Sequence, residues 1–79
     1  MDWSDYEVEK WCKEFSDRLK FLLTGKMTQR ELAEKIGVTE AALSRYVSGK
    51  RVPKATTIAK MAKVLNCDVN YLINFEQEN

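Results

Sequence analysis

Apolar residues recur along this chain at intervals of three and four, and nowhere alternate, so every element the pattern predicts is a helix. Val8, Trp11, Phe15, Leu19 and Leu22 form one stripe and predict a first helix from Asp5 to Leu23. Ser4 and Glu7 have capping-box spacing at its start, and Trp3 is placed to staple onto Val8. Thr24 and Gly25 end it. A second helix is predicted over Gln29–Ile36, with Thr28 as N-cap, Glu31 closing the box and Met27 placed against Leu32. Gly37 follows, where a residue of positive φ is wanted. A third helix is predicted over Glu40–Val47, capped by Thr39, with Val38 placed against Leu43 and Gly49 past its end. Pro53 marks a loop. Ile58, Met61, Ala62 and Leu65 then predict a fourth helix, Ala55–Leu65, for which neither Lys54 nor Thr56 is a clear N-cap. Asp68 caps a short fifth helix, Val69–Ile73, and residues 75–79 read as a fraying tail. The fold class expected is all-α, one five-helix domain over residues 1–79, without linker, repeat or low-complexity segment.

The second and third helices are separated only by Gly37-Val38-Thr39, so they must cross at a large angle. That is a helix-turn-helix. Ala33 is small where the next helix approaches, and Leu32, Ile36, Val38, Leu43 and Tyr46 supply apolar contacts between the two. The third helix divides cleanly. At 100° per residue, Glu40, Ala41, Ser44, Arg45 and Ser48 fall within an arc of about 140°. Ala42, Leu43, Tyr46 and Val47 fall opposite. An ordinary solvated face shows the same split, but usually carries Lys and Glu. Small side chains at Ala41, Ser44 and Ser48 instead leave the backbone free to approach a major groove closely.

Composition narrows the chemistry. The 79 residues are 44% hydrophobic and 32% charged, which suits a soluble globular domain. No apolar run is long enough for a membrane span, and the acidic start Met1-Asp2-Trp3-Ser4-Asp5 is unlike a signal peptide, so the expected address is cytoplasmic and no membrane partner is expected. The absence of histidine removes His-based triads and zinc motifs. The three glycines are isolated, so no phosphate-cradling loop exists. Cys12 and Cys67 are 55 positions apart, a spacing of neither a metal site nor a disulfide framework, and read as small buried hydrophobes. No enzyme, cofactor or metal is expected.

The net charge of +1 hides an asymmetry. Residues 1–17 carry six acids and two bases; the rest carry eleven bases and six acids. From Arg45 to Lys54 there are four bases, Arg45, Lys50, Arg51 and Lys54, and no acid. A basic stripe is the electrostatic footprint of a phosphate binder.

The stretch from Met27 to Tyr46, MTQRELAEKIGVTEAALSRY, resembles the helix-turn-helix of the Cro/phage-repressor (lambda repressor-like, XRE) family. Val47-Ser48-Gly49-Lys50-Arg51-Val52-Pro53 and Leu65-Asn66-Cys67-Asp68-Val69-Asn70-Tyr71-Leu72 resemble the remainder of that five-helix domain. The likeness covers roughly residues 15–73. It implies a sequence-specific transcriptional regulator, a repressor that binds a palindromic operator in double-stranded DNA as a homodimer. By position, Glu40, Ala41 and Arg45 match the base-reading residues, with Ser44 a neighbouring candidate. Gln29 resembles the family's phosphate-contacting glutamine, and Lys50, Arg51 and Lys54 fall in the loop that grips the backbone. The start of the fifth helix, Val69, Asn70 and Tyr71, is implicated in the dimer; closing the monomer core is the other role open to Val69 and Tyr71. The chain departs from the family in a connection between the first two helices one residue shorter, in the N-terminal extension of the first helix, and in the acid at Glu40. That acid also fits stabilisation of the helix dipole. The extension, with Trp3 and Trp11, suggests either a surface for a protein partner or extra core against the fourth and fifth helices. The alternative function is a protein-interaction module or antitoxin built on the same fold.

Overall fold

The computed structural model describes residues 4–73. They form five helices: α1 Asp5–Leu23, α2 Gln29–Ile36, α3 Glu40–Val47, α4 Ala55–Leu65 and α5 Val69–Ile73. These are the bounds that periodicity and caps predict. Trp3, with its expected staple onto Val8, and the tail 75–79 lie outside the described residues.

The helix starts follow from local chemistry. Ser4 Oγ accepts the Glu7 N–H at 3.1 Å, and the Glu7 carboxylate accepts the Ser4 N–H at 2.9 Å. Thr28 and Glu31 repeat this reciprocal box at 3.1 and 2.8 Å. Thr39 Oγ1 accepts the Ala42 N–H, and Asp68 Oδ1 accepts the Asn70 N–H. Each bond satisfies a donor that the first helical turn leaves unpaired. α4 starts at Lys54 with no side-chain cap.

The core draws on all five helices. Phe15, Leu19, Leu32, Ile36, Leu43, Met61, Leu65 and Leu72 are essentially inaccessible to solvent. Burial of each such side chain contributes about 1.5–3 kcal/mol. α2 packs on α3 and α4, α1 on α3 and α5, and α4 on α5. Cations close the far ends of the last two helices. Lys26 Nζ donates to the Leu65 carbonyl at 3.1 Å, and the Arg18 guanidinium donates to the carbonyls of Leu72 and Ile73 at 3.2 and 3.1 Å. Both satisfy carbonyls left over at a helix C-terminus and complement its partial negative charge.

Along α1 and at the cysteines the packing departs from what periodicity predicts. Val8, expected in the buried stripe, is 41% exposed, because the core does not reach that far along the helix. Trp11 takes the core role. Its ring stacks on Phe15 with centroids 5.2 Å apart, and its Nε1–H donates to the Ile73 carbonyl at 3.0 Å. The apolar side chains that the first turns leave open are therefore Tyr6 and Val8. Cys12 and Cys67, expected to be buried, are half-buried free thiols.

Candidate nucleic-acid interface

The α2–α3 unit is set by its turn. Gly37 takes φ 76° and ψ 31°, a left-handed conformation that costs glycine nothing. Its N–H and that of Val38 both donate to the Ala33 carbonyl, at 2.9 and 3.0 Å. Ala33 is buried, as close helix approach requires, and Val38 and Tyr46 pack against the core beside Leu32, Ile36 and Leu43.

The packing fixes which side of α3 faces outward. Leu43 and Val47 are buried and Ala42 and Tyr46 half-buried, whereas Glu40, Ala41, Ser44, Arg45 and Ser48 are exposed. The exposed set is the one that helical phase predicts. Glu40 stands in the first turn, where the helix dipole favours a carboxylate, and Arg45 in the last, where it favours a cation. Beyond α3 the chain turns through Gly49, φ 77°, and the Lys50 N–H donates to the Arg45 carbonyl at 2.9 Å. That bond ties the exposed, basic loop of Lys50 and Arg51 to the outer face of α3. Gln29 and Lys54 are exposed at other helix starts, the first residue of α2 and the N-cap of α4. Val69, Asn70 and Tyr71 are exposed on α5, apart from this loop. Leu72 is the fully buried residue of α5, whereas Val69 and Tyr71 are partly covered, at 37% and 42% exposure.

Sequence reading missed two residues that hold this surface. Ser16 is buried and its hydroxyl donates to the Val47 carbonyl at the end of α3. Gly49 lies against α1: a Cβ there would sit 3.5 Å from the Cys12 carbonyl oxygen and 3.6 Å from Ser16 Cβ. The one signal available was a serine where α1 is otherwise apolar, and its partner lies 31 residues away.

Burial pushes both cysteine thiols above their ordinary range, with the Glu9 carboxylate adding to the effect at Cys12. Protonated thiols are poor nucleophiles and poor metal ligands. Among the described residues no cluster of acids and cysteines is arranged to hold a metal, and no helix is long and apolar enough to cross a membrane.

An all-helical domain with a capped helix-turn-helix and a small-residue outer face defines the class. The particular family follows from comparison: the helix-turn-helix family model HTH_3 matches residues 20–72, and the chain belongs to that family. Over 65 residues it is 34% identical to the HTH-type transcriptional activator BcrR of Enterococcus faecalis, covering 81% of this chain and 32% of that protein. It is 33% identical over 63 residues to an uncharacterized HTH-type transcriptional regulator, YqaE, of Bacillus subtilis, covering 78% of this chain and 54% of the relative. The chain thus spans about a third and about half of the lengths of these relatives. In fold it resembles the solution structure of the SOS-response transcriptional repressor LexA from Eubacterium rectale. The TM-score is 0.77 at 23% identity, covering 89% of this chain and 79% of that one.

Proposed function

We propose that this domain is a sequence-specific regulator of transcription that lays the outer face of α3 in the major groove of double-stranded DNA. The observation that carries the reading is the exposed set Glu40, Ala41, Ser44, Arg45 and Ser48 on a helix whose opposite side is anchored in the core. Small side chains permit close approach, and one guanidinium is available to bond guanine O6 and N7 together. Arg45 is the chief base reader, with Ala41 and Ser44 beside it. Glu40, next to phosphates that would repel it, acts on the helix dipole. Gln29, Lys50, Arg51 and Lys54 hold the backbone and set register without reading sequence. Family membership and the names of the two relatives support regulation of transcription.

Two copies joined through Val69, Asn70 and Tyr71 would read a palindrome with half-sites about 34–36 Å apart, one turn of DNA. Exposure of all three residues on α5 supports this use.

The test is a binding series with wild type and Arg45→Ala against every single-base variant of the preferred site. Removing a bidentate arginine is expected to abolish about 1–3 kcal/mol of discrimination at one G·C pair per half-site. Equal weakening at all sequences would reduce Arg45 to a phosphate contact and refute its role as reader.

A further inference from the structure

We infer that the groove between α1 and the α3–α4 loop is a second phosphate-binding track, which carries the DNA backbone along α1 past Lys13 and Lys20. The inference rests on the DNA-binding reading above and extends it to residues outside the helix-turn-helix.

One wall of the groove is the face of α1 bearing Glu9, Lys13, Asp17 and Lys20; the other is the loop bearing Lys50 and Arg51. Four cations and two carboxylates thus line the groove, two of the cations on the same wall as the carboxylates. Lys13 Nζ lies 3.4 Å from Asp17 Oδ2, and both side chains are more than half exposed. That pair is a solvated one, worth little, and it leaves the lysine free to exchange its partner for a phosphate. Lys20, Lys50 and Arg51 make no ion pair among the described residues. The surplus of positive charge is complementary to a polyanion, and two of its members belong to the loop already assigned to the backbone.

The two walls of the groove are joined at its base. Ser16 bonds the Val47 carbonyl, and Gly49 packs on the backbone of Cys12, so α1 and the loop meet through buried contacts at the base of the groove. A strand gripped by Lys50 and Arg51 is therefore presented to Lys13 and Lys20 without rearrangement. Among the described residues Glu9 is the one unpaired acid in the groove, and it weakens the attraction for any phosphate there. Lys10 also lies on α1 but does not line the groove, which makes it the natural control.

The experiment measures the affinity of a short duplex of mixed sequence as a function of salt for wild type, Lys13→Gln/Lys20→Gln, Lys10→Gln, Lys50→Gln and Glu9→Gln. All of these side chains are exposed, and thermal melting checks that each variant folds. Each phosphate that a variant no longer neutralises lowers the slope of log K against log salt by about 0.9, so the double variant is expected to have a slope smaller by about 1.8. Lys10→Gln is expected to keep the wild-type slope, and Glu9→Gln to bind every sequence more tightly at low salt. If Lys50→Gln flattens the slope and Lys13→Gln/Lys20→Gln does not, the groove is no phosphate track, although the domain binds DNA. If the wild type itself shows no salt-dependent binding, the DNA-binding reading falls first. If the double variant binds an acidic peptide more weakly and DNA as well as before, the groove serves a protein and the inference is overturned.

Discussion

At the scale of single residues, three positions decide how the outer face of α3 is held. Gly37 has no atom within 4 Å of where a Cβ would stand, so Gly37→Ala costs only its positive φ, about 1–2 kcal/mol. Gly49 has the same φ but lies on Cys12 and Ser16, so a branched side chain there also pushes α1 from the loop. Gly49→Val is accordingly expected to melt well below Gly37→Val, at about 4–8 °C per kcal/mol for a domain of this size. Equal melting temperatures would show that the α1 contact contributes nothing. Ser16→Ala removes the donor to the buried end of α3, and an unsatisfied buried carbonyl costs about 1–3 kcal/mol. Its larger consequence is for DNA: a looser α3 is expected to bind all sequences more weakly, whereas Arg45→Ala is expected to lose discrimination at one base pair per half-site.

At the scale of elements, what could be read from the chain was whatever is local. Caps act over three residues and the glycine ends over one or two, so all five helices were legible from Ser4 to Ile73. The outer face of α3 was legible too, because helical phase within eight residues determines it. Contacts across the fold were not. Val8 and Trp11 have the same phase, yet only Trp11 finds a partner, the Ile73 carbonyl 62 residues away. The groove was invisible for the same reason, since its walls come from α1 and from a loop after α3. Trp11 therefore tests the helix it stabilises. Trp11→Ala removes the ring stacked on Phe15 and an N–H donor to α5, and is expected to cost roughly 2–3 kcal/mol. Trp11→Phe keeps the stack and is expected to recover most of this. Tyr6→Ser/Val8→Ser, which keeps the Ser4–Glu7 capping box, is expected to change melting little, because both side chains are exposed. A large drop in that variant would show that the exposed turn of Tyr6 and Val8 carries core energy after all.

At the scale of the whole molecule, charge and size bear on how copies meet DNA. The acids concentrate in residues 1–17, and the basic run from Arg45 to Lys54 lies on the outer end of α3 and the loop beyond it. The described chain measures 37 × 25 × 21 Å, the scale of one turn of DNA, about 34–36 Å, so two copies on adjacent major grooves are near enough to touch. If α5 makes that contact, Tyr71→Asp is expected to leave the fold intact, because the side chain is exposed. It is also expected to convert two-copy binding into independent single-copy binding, read by the mass of the complex at saturation. An unchanged mass would move the interface elsewhere. The central claim, that the face of Ala41, Ser44 and Arg45 reads base sequence, is tested most directly by selecting bound duplexes from a random DNA pool. Wild type is expected to enrich one motif, arranged as inverted half-sites one turn apart, with a G·C pair in each half that is absent from the motif selected by Arg45→Ala. A pool that stays random after repeated selection would contradict the claim.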